Sequence, residues 1–224
     1  MFEIMAKDTL LVLSGGMDST TLLYDYRQRI ALAVTFDYGS NHNAREADCA
    51  RRSCERLGIE WLCIPLGFMG KYFRSALLDG ADAIPDGEYA ADNISATLVP
   101  FRNGIMLSVA AGLAESRGLG RVMMANHAGD HIIYPDCRPE FVKAMNEAII
   151  TGSGGKVELT APYTHLTKND IARRGAILGV DYSLTYSCYR GGERHCGRCA
   201  TCRERAAAMT AAGLIPDCMP EEVD

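Results

Sequence analysis

The chain has 224 residues, 48% hydrophobic and 23% charged, an ordinary globular composition that excludes a disordered, collagen-like or coiled-coil protein. Its 28 acidic and 23 basic residues give a formal net charge of −5 at pH 7, which argues against an electrostatic grip on DNA or RNA as the main activity. No apolar run is read as reaching the ~20 residues of a bilayer span, and the Met1–Asp8 start lacks the basic-then-apolar order of a secretory signal. A cytoplasmic protein with no membrane and no nucleic-acid partner is therefore expected. In that compartment its nine cysteines suit metal binding better than a disulfide framework.

Thr9–Leu13 reads as a buried strand, followed at once by Ser14-Gly15-Gly16 and a helix over Thr20–Arg29. Ala31–Phe36 is the next strand, Ala44–Leu57 a polar-faced helix closed by Gly58, and Glu60–Leu66 a third strand. Met69–Thr97 has a weaker pattern and is expected to be a long loop or lid with short helical pieces. Then come a helix over Ile105–Arg117, a strand over Arg121–Ala125, a helix over Pro139–Ile150, a strand over Val157–Ala161 and a helix over Lys168–Leu178 stopped by Gly179. This alternation predicts an α/β fold with a parallel sheet. Residues 1–181 form the expected main domain, and 182–224 a Cys- and Gly-rich region docked on it.

Leu13-Ser14-Gly15-Gly16-Met17-Asp18-Ser19-Thr20-Thr21 joins the first strand to the first helix. Two glycines let the backbone approach an anion, three hydroxyls surround it, and the helix N–H groups point at it. Asp18 repels bare phosphate, so its natural role is through Mg²⁺. An ordinary capped strand–helix turn is the bland alternative; Ser-Gly-Gly-x-Asp-Ser at the end of a first apolar strand favours phosphate. The loop has neither the Gly-Lys-Ser/Thr end of a Walker A motif nor Gly-x-Gly-x-x-Gly. It resembles the loop of enzymes that cleave ATP between the α and β phosphates, such as GMP synthetase and asparagine synthetase. That resemblance implies an ATP site over Leu13, Ser14, Gly15, Gly16, Met17, Asp18, Ser19, Thr20, Thr21, Leu22 and Leu23.

Cys188-x7-Cys196-x2-Cys199-x2-Cys202 places four thiols in fifteen residues. Four thiolates favour a saturated, structural tetrahedral Zn²⁺; an iron–sulfur cluster and a redox pair are the rival readings. Flanking Arg190, Arg194, Arg198 and Arg203 are expected to lower the thiol pKa values, and His195 to stay unliganded. Cys49, Cys54 and Cys63 read as core, and Cys218 is uninformative.

Tyr134-Pro135-Asp136-Cys137-Arg138-Pro139-Glu140-Phe141 follows the fourth strand, where open sheets bind ligands. Arg138 can clamp an anion and Asp136 can pair a ring N–H, although a helix start with Pro and an Asp cap is the simpler reading. Val99-Pro100-Phe101-Arg102-Asn103 brings another arginine to the same edge, and Thr167 as an N-cap frees Lys168 to reach a phosphate. His42 and His165 are placed on loops beside strand ends. His127 and His131 flank Gly129-Asp130 and read as a substrate-facing loop more than a metal pair.

Together these segments, with Ser14–Thr21, His165–Lys168 and Thr185–Cys202, resemble the 7-cyano-7-deazaguanine synthase family over about residues 9–205. The resemblance implies a doubly wound fold of the adenine nucleotide α-hydrolase type, a structural zinc, Mg²⁺ with ATP, and a homodimer. The reaction implied takes 7-carboxy-7-deazaguanine, ammonia and ATP to the nitrile through an adenylated acid and an adenylated amide, with AMP released. Asp18, Lys168 and Arg102 are the implied catalytic residues; Phe101, Arg102, Asp136 and Arg138 would face the deazaguanine; Cys137 need not act covalently. Two departures stand out: Phe101 where the family usually has Gly before Arg-Asn, and Asp37–His42, which lacks the arginine of the usual Tyr-Gly-Gln-Arg-His. They leave open a relative that stops at the amide or passes the acyl group to another amine. A non-catalytic nucleotide- or zinc-binding module is the alternative from another class.

Overall fold

A computed structural model describes residues 7–87, 95–130 and 134–219. Five strands, β1 (Thr9–Val12), β2 (Ile30–Asp37), β3 (Glu60–Pro65), β4 (Arg121–Met123) and β5 (Glu158–Thr160), form one parallel sheet in the order β3-β2-β1-β4-β5. The helices are α1 (Met17–Asp25), α2 (Asn43–Leu57), α3 (Gly67–Tyr72), α4 (Arg102–Ser116), α5 (Pro139–Gly152), α6 (Lys168–Leu178) and α7 (Ala200–Ala211).

The central strands are apolar on both faces because both are covered. Leu10, Leu32, Val34 and Val122 meet Met106, Leu107, Ala110 and Ala114 of α4 on one side. Leu11, Ala33 and Met123 meet Leu22 and Leu23 of α1, Ala50 and Cys54 of α2 and Ile171 of α6 on the other. This is the predicted doubly wound α/β architecture. The strand order reverses between β1 and β4, and such a switch point opens a crevice beyond the strand carboxyl ends.

Several boundaries move. The first helix begins at Met17, three residues before the expectation, because the chain turns directly from Gly16 into α-geometry, and it ends at Asp25 rather than Arg29. The last helix, Ala200–Ala211, lies in the region read only as Cys- and Gly-rich. Cys54 is core, but Cys63 is exposed, since β3 is an edge strand with half its side chains facing out. Ser95–Ser116, with mean hydropathy 1.2, is long and apolar enough by composition to cross a membrane, which corrects the expectation that no such run exists. Its α4 part lays small and apolar residues against β1 and β4.

Candidate active site

At the switch point a cavity is lined by the ends of three strands and the loops beyond them: Leu13 and Ser14 after β1, Phe36 in β2 with Tyr38 just after it, and Met124 and Ala125 after β4. The Ser14–Ser19 turn closes on itself. Ser14 Oγ accepts from Gly16 N at 3.1 Å and lies 2.9 Å from Ser19 Oγ, which accepts from Gly15 N at 3.3 Å. Gly15 has φ +93, and a Cβ there would lie 2.1 Å from the Glu46 carbonyl oxygen. The C-terminal region reaches the same turn, with Tyr186 N donating to Gly15 O at 3.0 Å. Leu13, Ser14, Gly16, Met17, Asp18 and Ser19 line the cavity. Thr20, Leu22 and Leu23 are buried behind it, and Thr21 Oγ1 donates to Met17 O and meets Tyr182 Oη.

Asp18 and Lys168 come together from α1 and α6, 150 residues apart, with Lys168 Nζ donating to Asp18 Oδ2 at 2.8 Å. Lys168 sits at the start of α6, fixed by a capping box in which Thr167 and Asp170 satisfy each other's backbone N–H. Its ammonium also lies 3.3 Å from Glu204 Oε2 of α7. Burial alone would raise the Asp18 pKa, but the charges of Lys168 and His127 override it and hold the carboxyl below its usual range. Burial opposes the charge on Lys168, yet Asp18, Glu204 and Asp130 keep it protonated. Asp18 Oδ1 is buried without a hydrogen-bond partner, so one oxygen is spare for a cation. That donor suits Mg²⁺, a hard cation bound through one or two carboxylates and phosphate oxygens. His127 Nδ1 accepts from Gly129 N at 3.1 Å, and its Nε2 lies 3.8 Å from Asp18 and 3.5 Å from Asp130. His131 lies outside the described residues, so the His127/His131 reading stops there.

Across the cavity, Arg102 at the start of α4 is held by tyrosines. Its Nη1 donates to Tyr38 Oη at 3.1 Å, and its guanidinium lies 5.6 Å from the Tyr38 ring and 5.8 Å from the Tyr134 ring. Tyr134 Oη is in turn 2.9 Å from Tyr189 Oη. Phe101 does not line the cavity. It is exposed, packs edge-on against Phe141 at 5.9 Å, and has φ 52, the left-handed conformation that glycine adopts without cost. Asp136 and Arg138 also fall outside the lining. Asp136 Oδ2 accepts from Asn103 N at 2.8 Å, capping α4, and Arg138 is the exposed residue from which α5 starts. Cys137 is buried, with its thiol pushed up by burial, which opposes a nucleophilic role.

The third wall holds His42, which the sequence placed on a loop beside a strand end, and Glu46, which it did not single out. His42 and Glu46 lie one turn apart at the start of α2, with Nε2 3.7 Å from Oε2. Burial, assisted by the Arg102 charge, lowers the His42 pKa to about 4. Burial raises that of Glu46 to about 8 against the opposing pull of Arg102. Glu204 was also missed. Nothing in a polar helical pattern marks Glu46 or Glu204, since their role depends on which helices pack together.

The four cysteine sulfurs lie within 4.8 Å of one another. Four Zn–S bonds of ~2.3 Å in a tetrahedron set S···S near 3.8 Å, so these thiols can hold such an ion with little adjustment. Cys196 Sγ accepts from the N–H groups of Arg198 at 3.4 Å and Cys199 at 3.3 Å. His195 is outside the group; its Nε2 accepts from Ser187 N and its ring stacks on Tyr186. Arg190 pairs with Asp86, while Arg203 donates to the Arg198 carbonyl. The arginine buried in this region is Arg205, held by Asp217, Thr185, Ser187 and the Tyr182 carbonyl.

The doubly wound parallel sheet with a glycine turn at its switch point defines the class of α/β protein to which this chain belongs. NMN synthetase from Francisella tularensis has a similar fold, with a TM-score of 0.51 and 17% identity, covering 94% of this chain and 79% of that one. The family model for the queuosine biosynthesis protein QueC matches residues 8–213. Relatives described as 7-cyano-7-deazaguanine synthase include those of Porphyromonas gingivalis, 60% identical over 94% of this chain and 96% of the relative, and Desulfotalea psychrophila, 50% identical over 90% and 93%. That of Methanoregula boonei is 45% identical over 91% and 94%. The chain belongs to the QueC family, an enzyme family of the synthase class.

Proposed function

We propose that this chain makes 7-cyano-7-deazaguanine from 7-carboxy-7-deazaguanine and ammonia, using ATP to adenylate first the acid and then the amide. The observation that carries the mechanism is the meeting of the Ser14–Ser19 turn, the Asp18–Lys168 pair and Arg102 in one cavity at the switch point. Nothing in the cavity favours a reaction ending at the amide or a module without turnover.

A carboxylate has no good leaving group, so its oxygen must be transferred to phosphorus. The turn and the α1 N-terminus hold the phosphates, and Lys168 places a positive charge where pyrophosphate develops negative charge. Mg²⁺, bound through the free Asp18 oxygen, would neutralise phosphate charge. The Arg102 guanidinium, stiffened between tyrosine rings, takes the carboxylate of the acid and presents it to the phosphate. Cys188, Cys196, Cys199 and Cys202 would hold Zn²⁺ away from the chemistry, as a staple of the C-terminal region. The same reading makes the protein a cytoplasmic homodimer with no nucleic-acid or membrane partner.

The test is mass spectrometry of the products formed from Mg-ATP, ammonium and the acid. Nitrile, AMP and pyrophosphate are expected. Amide alone would show that the second adenylation is lacking, and unconsumed ATP would reject the acid as substrate.

A further inference from the structure

The reaction proposed above consumes ammonia, yet at neutral pH almost all of the pool is ammonium, which has no lone pair to attack with. A cavity group that takes a proton would open that larger pool to the reaction. Four acids among the described lining residues are available: Asp18, Glu46, Asp130 and Glu204. Asp18 and Glu204 are occupied by the Lys168 ammonium, and Asp130 Oδ2 accepts from the His127 backbone N–H. Glu46 differs. Among the described residues no lysine or arginine lies within ion-pair distance of it, and its near neighbour is His42.

Its position is equally specific. Glu46 Oε1 lies 3.9 Å from where a Cβ on Gly16 would project, so its carboxyl stands beside the phosphate turn. Tyr38 and Tyr189 line the cavity with it, offering ring faces and hydroxyl oxygens to a small cation. We propose that Glu46 receives ammonium beside the acyl-adenylate and takes its proton. This rests on the functional reading given above.

The step balances. Ammonium passes one proton to a Glu46 oxygen, and the freed nitrogen lone pair forms the C–N bond at the acyl carbon. The C–O bond to the phosphate breaks, its electron pair leaving on AMP, and the second proton shed by the new nitrogen goes to water. The groups facing Glu46 are His42 and Cys49 from its own helix, Arg102 from α4, the Gly15–Gly16 stretch of the turn, and Tyr186 and Tyr189 from the C-terminal region. With His42 kept neutral by burial, they leave Glu46 poised to titrate near neutrality.

Hydroxylamine separates this role from a structural one, because it is already neutral at pH 7 and traps the same acyl-adenylate as a hydroxamate. Glu46→Gln is expected to lower kcat/KM for ammonium about 100-fold at pH 7 and that for hydroxylamine by less than about threefold. The ammonium deficit should shrink as the pH rises and free ammonia accumulates. Hydroxamate formation also reports that the variant is folded. Equal losses with both nucleophiles in Glu46→Gln and Glu46→Asp, or an ammonium deficit indifferent to pH, would overturn the proposal. If the wild-type protein forms neither amide nor hydroxamate from the acid, the functional reading itself fails.

Discussion

Lys168 and Asp18 illustrate how much of a site a single residue can reveal. Both stand at helix starts, and both were legible as phosphate- or cation-directed groups; the structure brings them to 2.8 Å. Lys168→Met is expected to slow pyrophosphate release by about 100- to 1,000-fold, the range for losing one preorganised group facing developing charge. Pre-steady-state phosphate assays measure it. Glu46 was not legible, because the sequence shows only an acid on a polar helix and not the turn that buries it. Its burial has a consequence for stability. The folded state holds the proton more tightly than the unfolded chain does, from the ordinary carboxyl pKa up to about 8, so stability falls as the pH rises through that window. Denaturation from pH 4 to 9 should show Glu46→Gln gaining on the wild type at the alkaline end, by on the order of 1–3 kcal/mol.

At the scale of the element, α6 was read with its boundaries intact, since its Thr167 cap and Gly179 stop are local signals. Thr167→Ala removes the capping box and should cost about 1 kcal/mol in urea denaturation. Catalysis should weaken as well, because Lys168 projects from that first turn. The start of α4 was harder to read. Phe101 enters it in a left-handed conformation, and its ring lies so close over Gly104 that a Cβ there would meet it at 2.3 Å. That contact is invisible to periodicity. Gly104→Ala therefore requires the ring to move, and a lowered thermal midpoint with altered KM for the acid is expected, since Arg102 follows Phe101 directly. Asp136 was weighed as a ligand group or as the cap of the helix beginning at Pro139; the structure has it accept from the Asn103 backbone at the start of α4 instead, a contact between segments that local sequence does not signal.

The molecule as a whole was legible in its alternation of strands and helices, which fixed a parallel sheet before any strand order was known. What the alternation lacked was the C-terminal helix, whose apolar side is diffuse and meets α1 and α6 only through long-range contacts. That region is tied to the Ser14–Ser19 turn by Tyr186 and to Lys168 by Glu204. Stripping the metal should therefore do more than loosen the tail. Chelation is expected to release about one equivalent of zinc by elemental analysis and to weaken nucleotide binding by calorimetry at temperatures where the sheet remains folded. Cys202→Ser should reproduce both effects.

The Gly15 turn carries a different lesson, about what selection would see. The neighbouring glycines look alike in the sequence, but the obstacle at Gly15 is the carbonyl of Glu46, a backbone atom that cannot step aside, whereas at Gly16 the nearest obstacle is the Ser14 hydroxyl at 3.3 Å. A library of variants scored separately for cellular abundance and for turnover would part them. Gly15 would fail already in abundance, while Gly16→Ala would persist as a well-made protein and be lost only in turnover. Intolerance at the first would thus record the docking of a helix, and at the second the approach of a phosphate.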